Sequence, residues 1–301
     1  MRIAKSRKGA MALAALAILL FHQWIPVLPR SGFFGGIERF IVQTGYWGVD
    51  LFFFLSGYAL AQQEIPSYRR FVTERAVKIL PLFAVAWLCG EFLWFLPSLM
   101  VLYVIAPPCL RLCRGKNPHA MLALFLILWA LLIAVTEHFA PSAWDLGIFT
   151  FRIPVFMLGV YLARYEGRGS ERTRLIFGLA ALALGTVLLV RFGYLHKLTV
   201  PYRDTFYLCA LPSAVGVTLV TDVLWAHRAS GLLAFLGGIT LELYFMQFVL
   251  GERLIYFFLS LTRSKLASDL LAAALVTAAA YVLSLVLRPF NHKCRAWLQK
   301  L

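Results

Sequence analysis

Charge is what this sequence has least of. Asp, Glu, Lys and Arg make up 14% of the chain, against about a quarter in a soluble domain. Acidic residues are the scarcer kind, 14 against 29 Lys and Arg, which leaves a formal net charge of +15. So few charges do not cover the surface of a 301-residue soluble protein. Cysteine is also sparse. Cys89, Cys109, Cys113, Cys209 and Cys294 form no Cys-x-x-Cys pair and have no His at zinc spacing, so a disulfide framework and a metal site are not expected. No resident cofactor is expected either. Low-complexity tracts, short-period repeats and polar linkers are missing too, and the chain reads as a single domain over 1–301.

What is present is apolar. Hydrophobic residues make up 61% of the chain, and the mean hydropathy is +0.78. This composition predicts an all-α, polytopic membrane protein. Taking about 20 apolar residues per crossing, spans are expected near 9–27, 46–63, 79–92, 94–110, 119–137, 149–165, 174–194, 205–225, 231–251 and 268–288, about ten transmembrane helices in all. The apolar run after "MRIAKSRKGA" is followed by the bulky "FHQWIPVLPR". It lacks a small-residue cleavage site and reads as an uncleaved first span.

The basic residues fall in short clusters between the spans, as the positive-inside rule requires. They are assigned to topology and anionic headgroups rather than to nucleic acid. The stretch 79–110 is long for one crossing and short for two. Arg69, Arg70, Arg75 and Lys78 precede it, and Arg111, Arg114 and Lys116 follow it. Both clusters belong inside, so two short helices turning near Gly90–Glu91 are expected, with Glu91 in the outer turn. On this topology 20 of the 29 Lys and Arg fall on one side and nine on the other. Both termini are then cytoplasmic, in an inner (cytoplasmic) membrane.

Ionisable residues inside spans mark functional sites by default. In "LAILLFHQW", His22 lies toward the outer end of the first span. In "GYWGVDLFFFLSGYAL", Asp50 lies in the outer turn of the second. At matched depth on neighbouring helices, a carboxylate fixes an imidazole's tautomer and raises its basicity, making His22 a general base. The competing readings are an interfacial ring beside Trp24 for His22 and a partner for the helix dipole for Asp50. Ser56, Gly57 and Tyr58 suit close helix packing. Arg75 and Lys78, three apart, share a helix face at the inner surface. There they suit a phosphate or pyrophosphate, or simply anchor the span. Arg152 is expected near the outer surface, where snorkelling would explain it. Glu242 is expected near the middle of its span, facing protein or a cavity. Asp222, near the inner surface, is discounted.

The segments "LAALAILLFH", "GYWGVDLFFFLSGYAL", "FVTERAVKILP" and "WFLPSLMVLYVIAP" together resemble the membrane-bound acyltransferase 3 family. "RIPVFMLGVYLA" and "FLGGITLELYF" agree further on. The resemblance implies O-acylation, with acetyl the expected group, of an extracytoplasmic sugar or lipid-linked glycan. The donor would be a cytoplasmic acyl-CoA, usually acetyl-CoA, used as substrate. It also implies that His22 is the first-span histidine and that Arg75 and Lys78 are the inner-loop basic pair; Arg152 and Glu242, the other notable charges, are further candidates for substrate binding. Three features depart from the family pattern. Met11 stands where many members carry Arg, with Arg7 and Lys8 one turn further inward. Gln247 stands where some carry His, and the stretch between Pro81 and Trp94 is short. Rival readings of the same intramembrane charges are a proton-coupled transporter of a small solute or glycan and a non-catalytic relative of the acyltransferases.

Overall fold

The computed structural model describes residues 3–24, 33–64, 67–90, 93–113, 117–139, 144–165, 169–193, 205–225 and 231–298. Among them there is helix and no strand. Five helical stretches are long and apolar enough to cross a membrane: Pro118–Thr136, Glu171–Phe192, Tyr207–Trp225, Thr240–Thr262 and Lys265–Cys294. Three shorter ones, Trp47–Ala61, Phe95–Arg111 and Gly147–Ala163, are also apolar.

The chain opens with α1 (Ile3–Trp24), α2 (Phe33–Thr44) and α3 (Trp47–Ala61). Next come α4 (Tyr68–Leu88) and α5 (Phe95–Cys113). They flank the turn expected near Gly90, where a φ of +79° needs glycine. Glu91 lies outside the described residues. Then follow α6 (Pro118–Phe139), α7 (Trp144–Thr150), α8 (Ile153–Ala163) and α9 (Glu171–Phe192). Ser170 caps the last of these by accepting from the Thr173 amide. A 3₁₀ turn leads into α10 (Leu211–Trp225), and α11 (Gly231–Leu236) stands alone. α12 (Thr240–Met246), a π-helical segment (Gln247–Gly251) and α13 (Glu252–Thr262) run on without a break. α14 (Lys265–Leu298) closes the chain.

Two elements differ from the sequence expectation. Residues 33–44 form an amphipathic helix, tied down where Gln43 Nε2 donates to the Leu189 carbonyl at 2.9 Å. The span expected over 231–251 lies instead over 240–262. The cause is the break after Leu236, where Gly237 backs onto the main chain of α1. A Cβ there would lie 2.0 Å from the Lys8 carbonyl oxygen.

The centre of the bundle is α3, gripped on both sides. Against α1, a Cβ on Gly48 would fall 2.4 Å from the Ala14 carbonyl, and one on Gly45 would fall 2.9 Å from that of Ala17. Against α8, Gly57 meets the Phe156 carbonyl and Gly159 meets that of Phe54, each at 2.1 Å from a Cβ position. The contacts with α1 make it antiparallel to α3, while Asp50 meeting Arg152 at one end and Gln62 meeting Ala163 at the other make α8 parallel to it. In a membrane such backbone-to-backbone approach takes the place of hydrophobic driving force. Antiparallel α9 and α10 pack in the same way through Gly178, Gly185 and Gly216.

Gly159→Leu is expected to destabilise the fold by about 3 kcal/mol, the upper end for overpacking, because backbone faces it. Gly36→Ala is expected to be neutral or slightly stabilising, since open space surrounds that position on α2. Thermal unfolding of the two variants in detergent tests the contrast.

Candidate functional site

One end of the bundle is basic. There the start of α1, the end of α3, the start of α4 and the flank of α5 enclose a cavity of about 210 Å³. Arg7, Arg75 and Lys78 line it, with Ser56, Gln63 and Tyr103 as its other polar groups. Sequence spacing puts Arg75 and Lys78 on one face, and the fold adds Arg7 from a different helix. Met11 lines the same cavity one turn deeper. The Arg75 guanidinium is held in place by hydrogen bonding to Gln63. It also lies 5.0 Å from the Phe71 ring centre and 5.7 Å from that of Tyr103, both within cation–π range. Tyr103 in turn is hydrogen-bonded to Ser56. Tyr103 went unnoticed in the sequence, where it is one aromatic residue in an apolar run. Three cations around a cavity of this size suit a phosphate or diphosphate.

Leu241 also lines the cavity. Its neighbour Glu242 therefore sits near the basic end, in the first turn of α12, and not in mid-span as expected. The break at Gly237 shifts the whole helix. Arg288 of α14 is the cation near enough to act on it electrostatically.

His22 is at the other end of α1. It lies about 16 Å from Met11 along the axis, eleven residues at about 1.5 Å each. Its ring packs at 4.6 Å, centre to centre, on Phe248 of the π-helical segment and at 5.1 Å on Phe21. Such π-segments recur at functional sites. Here the segment opens with Gln247, which is buried and whose amide nitrogen and oxygen are both without hydrogen-bond partners.

The expected pairing of His22 with Asp50 is not formed. The glycine contacts fix the register of α1 on α3: Gly48 faces Ala14 and Ile18, and Gly45 faces Ala17 and Phe21. By extension Asp50 stands opposite Ala14, eight residues and about 12 Å below His22. Asp50 is instead paired with Arg152, Nε to Oδ1 at 3.5 Å, with both side chains buried. Nor does Arg152 snorkel to the surface. Parallel packing of α3 on α8 brings it level with Asp50, where it is only 2% exposed. Its guanidinium stacks 4.0 Å from the Tyr207 ring centre and 5.2 Å from that of Trp94. Its Nη1 donates to the Ile148 carbonyl at 3.0 Å. A second pair, Arg174 Nε to the buried Asp222 Oδ2 at 3.6 Å, joins α9 to α10. Asp222, near a surface by sequence, thus belongs to the helix interface.

The chain matches the family profile described as an acyltransferase domain over residues 10–90 and 86–288. No curated protein and no solved structure matches it. Among the described residues no three His, Cys, Asp or Glu side chains are grouped to hold a metal ion.

Arg152→Met leaves a buried carboxylate uncompensated and is expected to cost about 3–5 kcal/mol. Combining it with Asp50→Leu should recover most of that loss. Thermal unfolding of the single and double variants checks this: equal stabilities would mean that the pair does not anchor α8 on α3.

Proposed function

Because the chain belongs to the acyltransferase 3 family, we propose that it is a membrane O-acyltransferase. In this reading it moves an acyl group, acetyl in the simplest case, from cytoplasmic acyl-CoA to a hydroxyl of an extracytoplasmic sugar or lipid-linked glycan. The basic end of the bundle faces the cytoplasm of a cell whose inner membrane the protein crosses about ten times. The observation that carries the reading is the layout of α1. Arg7 near its start shares a cavity with Arg75 and Lys78, and His22 near its end packs on the π-helical segment.

The diphosphate of the donor rests on Arg7, Arg75 and Lys78, where charge-assisted hydrogen bonds to phosphate oxygens are strongest. Its pantetheine arm runs past Met11 and Leu241 along α1 toward His22. The neutral imidazole takes the proton of the acceptor hydroxyl as its oxygen attacks the thioester carbonyl. When the tetrahedral intermediate collapses, the C–S bond breaks and the thiolate leaves. The imidazolium returns its proton to that sulfur, so that acyl ester and free CoA are the products. No acyl-enzyme is required. Phe248, and not Asp50, sets the orientation of the imidazole. Asp50 and Arg152 act indirectly by holding α3 against α8, and Glu242 stands beside Leu241 at the edge of the donor cavity.

His22→Ala is expected to lower acyl transfer by about 10²–10⁴-fold, the usual worth of a general base, while leaving CoA binding intact. Lys78→Gln should do the reverse, weakening CoA binding about tenfold with little effect at saturating donor. Transfer assays paired with calorimetric titration of CoA separate the two. A folded His22→Ala protein that transfers at the wild-type rate would contradict the assignment.

A further inference from the structure

A second cavity, of about 280 Å³, opens at the same end of the bundle between α3, α5, α6 and α8. We propose that it binds the adenosine 3′-phosphate end of the donor CoA, as a subsite separate from the diphosphate cavity. The proposal rests on the acyl-CoA reading above.

Size is the first argument. Sites for drug-sized ligands span roughly 300–1,000 Å³, so the three-cation cavity of about 210 Å³ holds only part of a CoA molecule. The remainder needs a second recess close by. Position is the second argument. Leu60 and Gln63 line the first cavity, while Ala61 and Gln62 line the second. The two therefore flank the same last turn of α3, and a ligand anchored in one reaches the other by passing around that turn. α5 borders both, through Tyr103 and Leu110.

Chemistry is the third argument. The second cavity has small apolar walls, including Ala61, Val160 and Ala163, which suit a flat ring. Tyr161 supplies an aromatic face on one side. Its hydroxyl is fixed by His119 Nδ1 at 2.8 Å and by the Tyr165 hydroxyl at 3.3 Å. Gln62 Nε2 donates to the Ala163 carbonyl at 2.9 Å, holding α3 and α8 together beside the recess. Arg164 brings a guanidinium to the lining, matched to a phosphate on the ribose. An aromatic face, a slot and a cation together are what a purine nucleotide with a terminal phosphate requires.

The test is calorimetric titration of the full-length protein in detergent with CoA, adenosine 3′,5′-bisphosphate and 4′-phosphopantetheine. Wild-type protein should bind all three. Tyr161→Ala combined with Arg164→Gln should weaken CoA and the bisphosphate at least about tenfold and leave phosphopantetheine unchanged. Ala61→Leu, which fills the recess without touching its polar groups, should reproduce that pattern. Wild-type affinity for the bisphosphate in both variants would overturn the subsite while leaving the acyl-CoA reading intact. Wild-type protein that binds none of the three overturns both. In nanodiscs, phosphatidylglycerol competing with the bisphosphate while zwitterionic lipid does not would assign the recess to a lipid headgroup and overturn the proposal as well.

Discussion

The architecture depends on how closely α3 approaches its two neighbours. Glycines put its backbone against the carbonyls of α1 on one side and α8 on the other, and that contact fixes register as well as distance. Antiparallel packing on α1 sets Asp50 well below His22. Parallel packing on α8 brings Asp50 to Arg152 and Gln62 to Ala163. The end of α3 then stands between the two cavities at the basic end. A side chain at any of these glycines would separate the helices and displace the polar groups that the register brings together.

The buried Asp50–Arg152 pair follows from that packing and reinforces it. The contact is an ion pair rather than a hydrogen bond, since neither Asp50 oxygen has a hydrogen-bond partner, and losing one member of such a buried pair costs more than losing both. Tyr207, Trp94 and the Ile148 carbonyl supply further partners for the guanidinium. The pair therefore acts as a pin between α3 and α8. His22, free of that pair, sits at the opposite end of α1 on an aromatic seat formed by a π-helical segment.

Much of this was legible in the sequence. Apolar run lengths located the helices, and basic clusters on either side of 79–110 called for the turn that Gly90 makes. The three-residue spacing of Arg75 and Lys78 put both on one face. What stayed hidden has a common physical cause. Asp50 and Arg152 are about a hundred positions apart, and although both fall near the outer ends of their expected spans, nothing in the sequence says that α3 and α8 lie side by side. The shift of the span expected over 231–251 came from Gly237, whose break depends on packing against Lys8. An apolar run of that length does not reveal where a tertiary contact will interrupt it. α2 escaped notice because twelve amphipathic residues are too short and too polar to read as a crossing. The Arg174–Asp222 pair was hidden because nearness to a surface in sequence does not say which way a side chain faces.

The central claim is that α1 links a donor site at the basic end to a base at the other. The most direct measurement uses sealed inside-out membrane vesicles from cells producing the protein. Acyl-CoA labelled in its acyl group is supplied outside, to what was the cytoplasmic face, and the glycans enclosed in the lumen are analysed by mass spectrometry. The account predicts label on lumenal glycans, dependent on the protein and present while the vesicles remain sealed. Label that appears only after the vesicles are opened, or no transfer from any acyl-CoA, would contradict it.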